Sequence, residues 1–229
     1  LLLQLHNWQG LIIDGSSDYI KEIKAQDISW RHHVDAICAH ITKENINSLL
    51  EQNGMKGDIG LLSIDIDGND YHVWQSIDVI NPAIVVIEYN AVFGDLHPVT
   101  VPYRPDFFRT KAHFSNLYFG ASLPALILLG NDKGYKFVGT NTIGANAFFI
   151  RDDLAQQITS QLDSISAYPS VFREARDHAG KLLLLGGHER SEIIKDIPLF
   201  DIKNNENTSL NSLGKIYSSN WKNGQRNIF

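Results

Sequence analysis

Apolar and polar positions alternate in blocks along the first two thirds of the chain. Short apolar runs recur between stretches with helical spacing. LIID (11–14), HVDAICAHI (33–41), IGLLSIDI (59–66) and AIVVIEY (83–89) have strand length and strand composition. DYIKEIKAQ (18–26) has helical spacing behind a capping Ser16 or Ser17. TKENINSLLEQNG (42–54) predicts a helix with Thr42 as cap and Gly54 as stop, and DYHVWQSI (70–77) a shorter one. Strands apolar on both faces, separated by helices, predict a mostly parallel sheet covered on both sides, with right-handed crossovers. SLPALILLGNDKG (122–134) predicts a further helix. YKFVG (135–139) and NAFFI (146–150), joined by TNTIGA, predict an antiparallel edge hairpin. The fold class is α/β.

Two regions break this rhythm. Residues 91–115 carry Pro98, Pro102 and Pro105 and no helical period, which predicts a long ordered loop of the kind that often holds function. Beyond Arg151 the composition shifts. LAQQITSQLDSI (154–165) predicts an amphipathic helix, Leu182–Leu185 a buried strand, and the polar, Asn-rich 203–229 a loosely ordered end. The expected organisation is an α/β domain over 1–151 and an appendage over 152–229. Trp8 and Trp74 are expected to be packing aromatics.

Composition narrows the function classes. With 43% hydrophobic residues in 229, the chain can bury a sizeable core. A net charge of −6 without a basic cluster argues against nucleic acid. No apolar run reaches the ~18 residues of a membrane span. One cysteine, Cys38, excludes a disulfide framework and fits a reducing, cytoplasmic location. No G-x-S-x-G, H-E-x-x-H or G-x-G-x-x-G occurs.

Candidate chemistry collects at the strand ends, where open α/β sheets bind ligands. LIID ends at Asp14, IGLLSIDI at Asp65 and Asp67, and AIVVIEY at Glu88 with Asn90 just beyond. Like charges converging there favour raised pKa values, a cation or a hydroxyl-rich ligand. Asp14-Gly15 and Asp67-Gly68 are also ordinary turn dipeptides, and Asp70 an ordinary helix cap. Three chemistries fit. Asp14 is placed to accept the ribose hydroxyls of a nucleoside cofactor. Asp65-Ile-Asp-Gly-Asn matches the D-x-D-G-[TV] of haloacid-dehalogenase phosphohydrolases, with Asp65 as nucleophile, Asp67 as acid/base and Mg²⁺, although Asn69 replaces Thr or Val. A D-x-D also holds Mn²⁺ in nucleotide-sugar transferases.

The segments in order resemble one family. W-x-G-L-I-I-D (8–14), T-x-E-N-I-N (42–47), L-L-S-I-D-I-D-G-N-D-Y (61–71) and P-A-I-V-V-I-E-Y-N (82–90) are similar to the FkbM-like S-adenosylmethionine-dependent methyltransferases, over about residues 8 to 150. The resemblance implies a Rossmann-like class I methyltransferase sheet of seven strands, the last two an antiparallel hairpin. It implies O-methylation of a sugar or secondary metabolite. Asp14, with Gly15, would hold the cofactor ribose, His40 and Ile41 would lie near the adenine, and Asp65 would face the methionine end or the acceptor. Such enzymes open with a strand and an E-x-G-x-x-x-G loop, and LLLQLHNWQG looks like the helix that follows them. The resemblance therefore implies an N-terminally truncated domain, and a non-catalytic remnant of the fold stands as an alternative.

Methyl transfer needs the acceptor hydroxyl to lose a proton. Asp65, Glu88 and Asn90 would do this by holding a divalent cation such as Mg²⁺, or His97 would act as general base. Tyr103, Arg104 and Tyr118-Phe119-Gly120 are candidates to line an acceptor cleft.

Overall fold

The computed structural model describes residues 2–158, 165–222 and 226–227. Its contacts divide the chain into two units, Leu1–Gly57 with Ser76–Asn81, and Asp58–Gln75 with Pro82–Phe229. The chain therefore does not divide at residue 151.

The first unit begins with helix α1 (Leu2–His6), strand β1 (Gly10–Asp14), helices α2 (Ser17–Ala25) and α3 (Asp27–Arg31), strand β2 (Val34–Cys38) and helix α4 (Ile46–Gln52). β1 and β2 pair in parallel from Gly10–Val34 to Asp14–Cys38. β2 buries Val34 and Ala36 and exposes Asp35, the alternation of a strand with one covered face. Ser16 caps α2 by accepting from the Tyr19 amide, as its position predicts. α4 starts later than its periodicity suggests, because Thr42 and Asn45 exchange backbone–side-chain hydrogen bonds of 2.8 and 3.3 Å in the turn before it. Gly54, at φ +78°, ends it and lets the Met55 amide return to the Leu50 carbonyl. Trp8 is 36% exposed, so it is not the packing aromatic expected.

The second unit contains strand β3 (Gly57–Ile64, from Asp58 onward), helix α5 (Asp70–Ser76) and strand β4 (Ile80–Glu88, from Pro82 onward). The 91–115 region follows as a short 3-10 turn (Ala91–Phe93), strand β5 (Val99–Thr100) and helix α6 (Arg109–Ala112). Helix α7 (Leu123–Asp132) and strands β6 (Tyr135–Thr140) and β7 (Asn146–Arg151) complete the main sheet. Its order is β3-β4-β7-β6, with β7 antiparallel to both neighbours. The edge hairpin expected at 135–150 is thus present. The expected single sheet is met only in part: among the described residues the strands bond in four sheets, one of them the parallel β1–β2 pair. Trp74, Val85, Ile87, Phe93, Leu126 and Phe149 form the core, the Trp74 and Phe149 rings 5.0 Å apart. Among the described residues no helix is long and apolar enough to cross a membrane.

The remaining elements are helix α8 (Asp152–Ile158), strand β8 (Ser166–Ala167), helix α9 (Glu189–Ile193), strands β9 (Leu199–Asp201) and β10 (Glu206–Thr208), helices α10 (Leu210–Leu213) and α11 (Ser219–Lys222), and strand β11 (Arg226–Asn227). The helix expected over 154–165 is described only to Ile158, and residues 223–225 and 228–229 of the expected loose end lie outside the described residues. What is described is no appendage. β9 pairs with β5 and β10 in an antiparallel sheet, Tyr217 donates to the Val92 carbonyl at 2.7 Å, and the Ser218 amide and hydroxyl donate to Asp95 at 2.8 and 2.6 Å. Tyr89 and Tyr118 donate to the carbonyls of Tyr168 and Pro198. Leu182, Leu183 and Leu184 are exposed rather than buried, so the apolar run is not the core strand its composition predicts.

Two glycines show how closely the C-terminal segment sits. A Cβ at Gly94 (φ +85°) would lie 2.1 Å from the Ile216 carbonyl oxygen, and one at Gly144 (φ +73°) 2.3 Å from that of Pro169. Both neighbours are backbone. Gly94→Ala and Gly144→Ala should each lower stability by about 2–3 kcal/mol in urea unfolding. Gly54→Ala, at the same sign of φ but in open space, should lose only about 1 kcal/mol. Equal losses at all three sites would mean that the segment is not packed against Gly94 and Gly144.

Candidate functional site

The turn between β3 and α5, Asp65-Ile-Asp-Gly-Asn, is shaped by two unusual backbone positions. Asp67 has φ +57° and Gly68 φ +159°. A Cβ on Gly68 would meet the Phe107 ring at 2.2 Å, so the position takes only glycine without rearrangement. The Asp70 carboxylate closes the turn from inside, accepting from the amides of Ile66 and Gly68, both at 2.9 Å. Asp70 therefore ties down the preceding turn instead of capping the helix it begins. Asn69 is buried, donates to the Arg104 carbonyl at 2.8 Å, and its Oδ1 has no partner.

β3 and β4 deliver Asp65 and Glu88 to one electrostatic cluster, the acids named by the two motifs. Glu88 is mostly buried, and its Oε2 has no hydrogen-bond partner. Burial first, then repulsion from Asp70 and Asp65, pushes its carboxyl up to about 9, against the pull of Arg109. Burial pushes Asp70 up to about 6, with the Ile66 and Gly68 amides working the other way. The two acids differ in donors: Asp70 has amides to stabilise its anion and Glu88 has none, so where they compete the proton belongs on Glu88. Asp65 reaches solvent, yet its protein side is crowded enough that desolvation leads in raising its carboxyl, ahead of Asp67.

Arg109, which no motif singled out, is the cation of the site. Its Nη1 lies 3.0 Å from Asp67 Oδ1 and its Nη2 3.0 Å from Glu174 Oε1. Its Nε donates to the Asn116 carbonyl at 2.8 Å, and Cζ stands 3.7 Å over the Phe119 ring. Beside the cluster, a cavity of about 30 Å³ has Glu88, Asn90, Phe119, Glu174 and Arg190 in its wall. That is room for about one water.

Other expected site residues stand differently. Asn90 is turned to backbone: its amide donates to the carbonyls of Leu117 and Phe119 at 2.8 and 2.9 Å, and its oxygen accepts from the Val92 amide at 3.0 Å. These three bonds shape the loop after β4. Among the described residues no group of three or more His, Cys, Asp or Glu is arranged to hold a metal ion. His97 bonds the Lys215 carbonyl through Nε2 at 3.0 Å, which ties its ring to the C-terminal segment. Phe119 joins the site through Arg109, while Tyr103 packs against His72 at 5.3 Å and Arg104 pairs with Asp106. Asp14, Gly15, His40 and Ile41 belong to the first unit. There Asp14 Oδ1 accepts from the Ser16 amide at 2.6 Å, and the His40 carbonyl accepts from Asn45.

The proton on Glu88 has a measurable consequence. A glutamate ionises near 4.5 when unfolded and here near 9 when folded. Between those values the folded chain holds more protons, so stability is greatest at the acid end of the window and falls as pH rises through it. The slope approaches about 1.4 kcal/mol per pH unit for a fully linked proton. Asp70 adds the same sign between about 4 and about 6. Glu88→Gln removes one titration, so its urea midpoint should vary less than the wild type's from pH 6 to 9 and exceed it at pH 8. Parallel curves would show that Glu88 ionises normally. No protein-family model, curated protein or solved structure matches the chain.

Proposed function

We propose that the chain is an S-adenosylmethionine-dependent methyltransferase acting on a hydroxyl of a small-molecule or carbohydrate acceptor. The observation that carries this is the joint electrostatic environment of Asp65 and Glu88, the acids of D-I-D-G-N-D and I-E, at neighbouring strand ends. The β6–β7 hairpin beside β4 agrees with the resemblance. For the cofactor, Asp14 offers a partly exposed carboxylate at the end of a parallel strand, suited to a ribose diol. His40 and Ile41 follow the neighbouring strand, where the resemblance expects the adenine. When bound, the cofactor supplies an electrophilic sulfonium methyl.

The chain's own part is acid–base and positional. Asp65, open to solvent, is the group that accepts the acceptor's hydroxyl proton. With the cofactor bound, the acceptor oxygen would take the methyl as the methyl–sulfur bond breaks, and Asp65 would hold the released proton. Glu88, keeping its own proton, adds no further negative charge beside the developing alkoxide. The raised carboxyl of Asp65 makes it a better base than an ordinary aspartate.

Calorimetric titration of S-adenosylhomocysteine into the wild type and Asp14→Ala tests the cofactor half. Affinity should fall about tenfold or more in the variant. Labelled methyl transfer to a panel of hydroxyl compounds tests the other half. Asp65→Asn should lose about a hundredfold in kcat with unchanged affinity for S-adenosylhomocysteine. A folded wild type that binds neither form of the cofactor would sink the proposal.

A further inference from the structure

We propose that Arg109 is the positioning residue of the carboxyl cluster, and that Glu174 completes the site through it. The C-terminal segment is then a working part of the site.

The guanidinium is used on every side. One edge meets Asp67 and another Glu174, two positions more than a hundred residues apart in sequence, each at 3.0 Å. The Nε anchors to the Asn116 carbonyl, and one face lies on Phe119 at 3.7 Å. The Arg109 side chain is 16% exposed, while that of Asp67 is 64% exposed. Ion pairs with one partner so open to solvent add little to stability. What they supply is geometry. Asp67 sits at φ +57°, in the left-handed region that non-glycine residues seldom adopt and that contacts on both sides of the turn hold in place. Asp70 holds the turn from inside through Ile66 and Gly68, and Arg109 holds it from outside through Asp67. Asp65 begins this turn, so its direction is set by both.

Charge points the same way. The groups facing the turn are Asp65, Asp67, Asp70, Glu88 and Glu174, with Arg109 as the cation among them. Arg109 favours the ionised state of Asp65, which the proposed proton transfer uses. A lysine would keep the charge but not the planar fork that reaches two carboxylates while stacked on a ring. Glu174 fixes the second arm of that fork. Without it, the guanidinium would be free to turn away from Asp67.

The test uses the full chain, ¹⁵N-labelled, as wild type, Arg109→Ala, Arg109→Lys and Glu174→Gln. Amide exchange at Asp67, Gly68 and Asn69 should quicken about tenfold in Arg109→Ala and measurably in Glu174→Gln. The core amides of Val85 and Ile87 should not change. The kinetic arm rests on the proposed methyl transfer. There Arg109→Ala should lose about a hundredfold in kcat with KM for S-adenosylmethionine held. Its pH profile should move to higher pH, and Arg109→Lys should restore the profile more than the rate. Unchanged exchange at 67–69 in the folded variants overturns the inference, whatever the activity. If Arg109→Ala does not fold, Glu174→Gln decides by the same readout. Quickened exchange in a chain that transfers no methyl leaves the inference standing and removes the methyltransferase proposal.

Discussion

Carboxyl groups crowded around one turn cannot all carry full charge in a partly dry space, and the structure answers that repulsion differently for Asp65, Asp67, Asp70 and Glu88. Asp70 receives two backbone amides. Asp67 receives the guanidinium of Arg109. Glu88, with an oxygen that meets no donor, keeps its proton. Asp65 is left at the solvent. The left-handed Asp67, the Phe107 ring over Gly68 and the reach of Arg109 all serve this arrangement. A turn without them would let the carboxyls separate into water, and the shared environment of β3 and β4 ends would vanish.

The same constraint explains why the segment beyond residue 165 belongs to this unit. Glu88 stays protonated because it is mostly buried beside other acids, and Ser170, Phe172, Glu174 and Arg190 stand with it around the small cavity. Arg190 is itself buried, its guanidinium held by the carbonyls of Ser170, Phe172 and Gly187 in place of a carboxylate. Burial lowers its pKa accordingly. A cation satisfied by carbonyls keeps that stretch of backbone fixed in front of the cluster.

How much of this was legible in the sequence follows from the range of the interactions. The strands ending at Asp14, Ile64 and Glu88 are written in contiguous apolar runs, and periodicity finds them. The β6–β7 hairpin announces itself by two such runs about a short polar loop. The attachment of the C-terminal segment does not, because it depends on Asp95 and scattered tyrosines meeting residues 79 to 125 positions away, and on Gly94 and Gly144 lying against the backbone of Ile216 and Pro169. Composition alone reads that stretch as polar and loose. The four leucines at 182–185 mislead in the opposite sense: strand composition, but a place on the surface for the first three. Asn90 looked like a ligand because amides at strand ends often are. Its three backbone bonds become visible only once Leu117 and Phe119 are brought beside it. Arg109 was silent for the same reason, since an arginine in a proline-rich stretch carries no period and no spacing. Its one local hint was position, within the loop expected to be functional.

Separating the carboxyls by environment also separates what each can do. An acid that stays protonated to about 9 can donate a hydrogen bond at neutral pH but cannot take up a proton. A solvent-facing aspartate, raised by desolvation and drawn back by Arg109, is the group placed to accept one in the proposed reaction. The two sit at the ends of adjacent strands, so a hydroxyl placed between them would meet a donor on one side and an acceptor on the other. Exchanging the roles would require moving the amides of Ile66 and Gly68 or the guanidinium of Arg109, because those donors decide which carboxyl holds charge. In the proposed reaction the direction of proton flow would thus rest on the donors around the β3–α5 turn, whatever the acceptor.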